Sequence, residues 1–256
     1  YILILILKPR HSLLLLWVLQ VSISLYSSAA RSDAYKAGAN SVASGTDAVA
    51  IGESASAVGN YSTAVGAKSS ASNTGSIAIG NASLSLGAGA TSLGLAAISN
   101  GIKSIAVGAD AKANGTAAIA VGSKSNAGAN GATAVGPNAN AVGTTSIGVG
   151  SNAVAQANQS IAVGSVANAN GTAAIAVGSN SKAGANGATA VGPNANADGS
   201  KSVGIGSNAA ALSNQSIAVG ADAKANGTAA IAVGSNSNAG ANGATAVGPN
   251  ANADGS

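Results

Sequence analysis

The chain has 256 residues and carries 36 glycines, no Cys, Met or Phe, 2% aromatic and 7% charged residues. A conventional core of large side chains is therefore excluded, and stability has to come from many similar layers of small residues. Without cysteine there is no disulfide framework, thiolate metal site or cysteine nucleophile, which fits an exported protein, and a scattered formal charge of +4 gives no nucleic-acid footprint.

In chain order, two apolar runs, Ile2 to Leu7 and Leu13 to Leu19, flank the basic cluster Lys8-Pro9-Arg10-His11. The second run fades into Ser27-Ser28-Ala29-Ala30, so residues 1–30 read as a secretory leader with cleavage expected after Ala30. A membrane anchor would need about 20 apolar residues, and the run from Leu13 is interrupted too early. Tyr at position 1 and the absence of methionine imply that the sequence does not begin at its true start.

From Gly38 to Gly248 a glycine recurs every fourteen residues without a gap, including Gly108, Gly122, Gly136, Gly150, Gly164, Gly178, Gly192, Gly206, Gly220 and Gly234. A short fixed period over most of a chain is the signature of a solenoid, and residues 31–256 read as one such unit. The residue before each anchor glycine is aliphatic, and the third residue before it is mostly Ile, Val or Thr. A small residue, nearly always Ala, stands between them. This alternation predicts a short strand. Three and five residues after the anchor only Ala or Ser occurs, as at Ala111 and Ala113, with Asp110, Lys112 and Asn114 around them. That pattern predicts a second strand with one small, buried face and one solvated face. A further glycine often follows seven residues after the anchor, as at Gly101, Gly115 and Gly227. Each repeat thus reads as two strands and two tight turns.

A single fourteen-residue layer buries almost nothing, so layers must stack with equivalent strands in parallel register. The fold class is all-β, a parallel β-roll. The fifteen or so layers from Gly38 onward form a rod on the order of 70 Å long at roughly 4.8 Å per layer. Volume matching then places large columns opposite small ones. It assigns Ile105, Val107, Ile119, Val121, Ile161, Val163, Ile175, Val177, Ile217 and Val219 to the core, and turns Ala106, Ala120, Ala134, Ala162, Ala176 and Ala218 outward as a candidate subunit interface. The opposite assignment, with alanines inside and aliphatics at the interface, stays open, and both predict self-association.

Residues 104–159 and 160–215 align as two 56-residue blocks and 216–256 opens a third, each with one proline directly after an anchor glycine, at Pro137, Pro193 and Pro249. The recurrence locates a turn. Residues 38–103 keep the anchors but vary more, and are the expected capping end. The last residues stop in mid-repeat, so a longer protein is expected beyond Ser256.

The motif Ser-Ile-Ala-Val-Gly, followed by alternating Ala or Ser, resembles the head repeats of YadA-like trimeric autotransporter adhesins, as at Gly75-Ser-Ile-Ala-Ile-Gly80 with Ser83, at Lys103-Ser-Ile-Ala-Val-Gly108 and at Gln159-Ser-Ile-Ala-Val-Gly164. The resemblance covers about residues 38–256. It implies a left-handed roll, a homotrimer, display on a Gram-negative surface, and binding to host matrix components, cells or other bacteria. A neck, stalk and C-terminal membrane barrel, usual in that family, do not follow in this sequence.

Catalysis has few possible players: His11 lies in the leader and Glu53 is the one glutamate. Asp110 and Asp222 beside Lys112 and Lys224 read as solvated surface pairs. The Asn-Gly-Thr triplets at Asn114, Asn170 and Asn226 match glycosylation sequons but read as turn signals. No metal or cofactor is expected, since calcium-binding nonapeptides and phosphate loops are both missing from the motifs. An ice-binding solenoid is the alternative function, though Thr116, Thr172 and Thr228 recur only once per 56 residues. Ligand specificity is expected from outward residues such as Lys112, Asp198 and Lys201.

Overall fold

The computed structural model describes residues 33–255; the leader over residues 1–30 lies outside them. Strands of three and two residues alternate along the chain, from Tyr35–Ala37 and Val42–Ala43 to Thr245–Val247 and Asn252–Ala253. The three-residue strands form one parallel sheet of sixteen, here called the wide sheet, and the two-residue strands form a second of sixteen, the narrow sheet. Every pairing is offset by one repeat: Ile105 lies beside Ile119 and Ala106 beside Ala120 in the wide sheet, and Lys112 beside Asn126 in the narrow one. Each fourteen-residue repeat is therefore one layer of a parallel β-roll.

The turns explain the period. Gly108 has φ +129°, and a Cβ on it would stand 2.7 Å from the backbone of Gly122 in the next layer, so both dihedral and space demand glycine. Two residues on, Asp110 takes φ 57°, and Ala111 N–H closes the turn onto Gly108 O at 3.3 Å. The other end of the layer repeats the device, with Lys103 at φ 55° and Ser104 N–H donating to Gly101 O at 3.2 Å. A layer is thus two similar seven-residue halves. Glycines of the second turn have a different reason to be there. Gly115 does not adopt positive φ, but a Cβ on it would stand 2.0 Å from the carbonyl oxygen of Ala129. Pro137, Pro193 and Pro249 occupy the predicted turn. The residues equivalent to them in other layers, such as Ala109 and Ser123, donate no backbone hydrogen bond, so the missing proline N–H removes nothing.

The core reverses the volume argument. Four columns per layer are buried, for example Ser104, Ala106, Ala111 and Ala113, each at 0% exposure. The largest fully buried side chains are serines. Ala106, Ala120, Ala134, Ala162, Ala176 and Ala218, expected at an interface, are all inside. Ile105 and Ile119, expected in the core, are 39% and 36% exposed, and Val107, Val121, Ile161, Val163, Ile175, Val177, Ile217 and Val219 are half-buried on the outer face. The cause is sheet separation. At Gly204, which interrupts the alanine column, a Cβ would already stand 3.1 Å from the carbonyl oxygen of Asn196 on the opposite sheet. A branched side chain has no room there, and matching small against small is what a two-residue turn at each end permits. At most core serines the hydroxyl finds a nearby carbonyl: Ser125 donates to Gly122 O at 2.9 Å, Ser104 to Gly101 O at 2.7 Å and Ser92 across the roll to Leu84 O at 2.6 Å, whereas Ser62, Ser146 and Ser202 Oγ are buried without a partner.

Candidate functional site

With the interior filled by Ala and Ser, the roll presents two outer faces of opposite character. On the wide sheet the side chains of each Ile-Ala-Val strand point alternately in and out, so Ile and Val stand together outside while Ala points in. In-register stacking turns these into two adjacent ladders, one aliphatic throughout from Ile51 to Val247 and one of Ile and Val from Val49 onward with Thr63, Thr91, Thr133, Thr189 and Thr245 among them, every member half-buried or exposed. No charged residue interrupts them over that span.

The outer face of the narrow sheet is mainly polar in the 56-residue blocks, broken by Val142, Val154, Ala210 and Leu212. Lys112, Asn126, Asn140, Asn168, Lys182, Asn196, Lys224 and Asn238 stand there. Asparagines in successive layers bond side chain to side chain, Asn126 Nδ2 to Asn140 Oδ1 at 2.8 Å and Asn238 Nδ2 to Asn252 Oδ1 at 2.9 Å. Open clefts on this face are lined by Asp110, Lys112, Asn114, Lys124 and Asn126, and again two blocks later by Asp222, Lys224, Asn226, Asn236 and Asn238.

The expected ion pairs are placed differently. Asp110 and Lys112 are both exposed without bridging, as are Asp222 and Lys224. The ion pair among the described residues is Lys182 Nζ to Asp198 Oδ1 at 2.9 Å, between neighbouring layers and partly solvated, with Asn196 Nδ2 donating to the same carboxylate at 3.0 Å. Such a pair contributes about 0.2–1 kcal/mol. Lys112 lies on a narrow-sheet strand, while Lys201 sits in the second turn at φ 55°. Among the described residues no group of three or more His, Asp or Glu side chains is arranged to hold a metal ion.

One recurring device is missing from the sequence reading. Asn130 Oδ1 accepts the backbone N–H of Thr116 in the preceding layer at 2.9 Å, and the following Gly131 N–H donates to Thr116 O at 2.9 Å, so two adjacent residues grip both sides of one residue below. Asn186 holds Thr172 N–H at 2.9 Å and Asn242 holds Thr228 N–H at 2.8 Å in the same way. Asn158 and Asn214 accept from Thr144 and Ser200. From Thr116 onward the clamp appears in every second layer, and the turn glycine alternates with it: Gly115, Ala129, Gly143, Ala157, Gly171 and Ala185; in the earlier layers it occurs at Thr46 and Asn60. The signal that could have found it is this alternation.

The sequence profile of the YadA head domain repeat, in two copies per match, fits residues 37–55, 43–69, 57–83, 99–125, 113–139, 141–167, 169–195, 197–223 and 225–251. No curated protein matches the chain. Among solved structures, the chain is similar to the collagen-binding domain of the Yersinia adhesin YadA, at 23% identity and a TM-score of 0.26, over 61% of this chain and 64% of that one. With layered repeats of the right period and profile matches over most of its length, the chain belongs to the YadA head domain repeat family, an adhesin-type β-roll.

Proposed function

We propose that the chain is the head of a bacterial surface adhesin, exported by its leader and assembled as a homotrimer whose outward polar faces attach to host matrix components, to cells or to other bacteria. The observation that carries this reading is the pair of ladders on the wide sheet, one aliphatic in every layer from Ile51 to Val247 and the other of Ile and Val with Thr at five positions. A monomer leaves these Ile and Val side chains in contact with water along the whole rod. Covering them contributes about 25 cal/mol for each Å² of apolar area removed from solvent. An exposed apolar surface of this extent marks an association site, and a face repeated along a rod suits copies of the same chain laid side by side in parallel. The narrow sheet, with its Lys, Asp and Asn side chains, then faces outward. Family membership supports the same role.

Assembly is tested by sedimentation of residues 31–256, with Ile161→Asp and Ile175→Asp made together as the comparison. A trimer that dissociates in the double variant is expected; a wild-type chain that stays monomeric at high concentration contradicts the proposal. Attachment is tested by binding of the assembled head to immobilised matrix proteins, collagen included, and to host cells, against an ice-recrystallisation assay in parallel. Activity in the ice assay with no attachment would favour the alternative reading.

A further inference from the structure

Six of the seven Asn-Gly pairs in the sequence fall into two settings, which the structure treats in opposite ways; the seventh, Asn100-Gly101, stands between them, with Gly101 N–H donating to Ala113 O at 3.4 Å and Asn100 Nδ2 to Asn114 Oδ1 at 2.8 Å. Deamidation at such a pair needs the glycine amide nitrogen to attack the asparagine Cγ. The N–Cγ bond forms as the amide proton is lost to solvent base, the Cγ–Nδ2 bond breaks, and Nδ2 takes a proton and leaves as ammonia. Water then opens the succinimide at either carbonyl, giving Asp or isoaspartate and one new negative charge. The reaction needs no reagent but water, so its rate in a folded chain depends on whether the two reacting groups are free.

In the pairs Asn130-Gly131, Asn186-Gly187 and Asn242-Gly243 neither group is free. The asparagine Oδ1 accepts from Thr116, Thr172 or Thr228 N–H, and the glycine N–H donates to the carbonyl of that same residue at 2.8–2.9 Å. In the pairs Asn114-Gly115, Asn170-Gly171 and Asn226-Gly227 the glycine N–H donates to no acceptor. Asn226 has no side-chain hydrogen bond, Asn170 Oδ1 is buried without a partner, and Asn114 Oδ1 accepts from Asn100 Nδ2 at 2.8 Å.

We infer that Asn170 and Asn226, with Asn114 behind them, are modification sites at which the folded head deamidates, while the clamped asparagines are protected. The sites lie four layers apart at one edge of the outward polar face, roughly 19 Å from one to the next at about 4.8 Å per layer. Asn114 and Asn226 line the clefts that also hold Lys112 and Lys224. Conversion therefore adds carboxylates beside the lysines of that face, and isoaspartate lengthens the main chain next to a glycine packed against the following layer.

The test is site-resolved mass spectrometry after incubation of the folded protein at mildly alkaline pH, with isoaspartate counted by enzymatic methylation, beside a sample held in denaturant. In denaturant the two classes are expected to react alike, since each asparagine precedes glycine. In the folded protein Asn170 and Asn226 are expected to react roughly thirtyfold faster than Asn130, Asn186 and Asn242, the weight of about two net hydrogen bonds. Equal folded-state rates in the two classes, or faster reaction at the clamped sites, would overturn the inference.

Discussion

Ala176 and Val177 are consecutive residues of one strand, yet one is sealed between the sheets and the other stands on the outer face. In most folds the larger apolar residue would take the inside. Here the interior is too thin for it, so the larger apolar side chains stay on the surface. The difference teaches that in a roll this narrow the small residues report on the core, and the branched ones on the outer face.

The comparison can be broken most severely at the turn that fixes the spacing. Gly108→Val places a branched side chain at φ +129° and against the next layer's backbone. A loss of about 3 kcal/mol or more is expected in chemical denaturation, with local loss of exchange protection in the flanking layers. Next comes the interior itself: Ala176→Leu overfills a site with 0% exposure and is expected to cost about 1–3 kcal/mol, whereas Ile175→Ala, one residue away on the outer face, should leave the layer folded and weaken assembly instead. Thermal unfolding and sedimentation of the two variants separate the effects. Smaller again is Asn186→Ala, which removes the clamp on Thr172 N–H and is expected to cost about 1 kcal/mol, seen as faster amide exchange at Thr172. Lys182→Ala breaks the solvated pair with Asp198, and a change of about 0.2–1 kcal/mol is expected in the same denaturation assay.

A second contrast runs along the rod. On the outer face of the narrow sheet the early layers carry Ser56 and Ser70 beside Val42, Leu84 and Ile98, while the repeated blocks carry Lys or Asn at the equivalent strand positions except at Val154 and Ala210. A side-chain bond such as Asn126 to Asn140 needs asparagine in two successive layers, and the ladder stops where Val154 follows Asn140. Lysine and asparagine on these strands are thus a property of the blocks and not of the early layers.

Much of this was legible in the sequence. The fourteen-residue glycine column predicts the layer, the alternation predicts both strands, and the two together predict parallel register. The small face of the second strand, at Ala111 and Ala113, was also readable because no alternative residue competes there. The side assignment of the wide sheet was not. Alternation alone says that Ile105 and Val107 share a face opposite Ala106, without saying which face is inside; only the sheet separation, seen at Gly204, decides it. The clamp was hidden for a related reason. Asn130 and Asn186 precede glycine and so look like ordinary turn residues, and their role depends on a partner one layer below that local sequence does not name.

The measurement closest to the central claim uses the absence of cysteine from the chain. Ala176→Cys and Val177→Cys, made separately and treated with a maleimide under native conditions in dilute solution, report which side of the strand meets water. The account predicts rapid labelling at position 177, slowed when the chains are concentrated enough to assemble, and no labelling at position 176 until the roll is unfolded. Rapid labelling at 176 with protection at 177 in a monomer would contradict it.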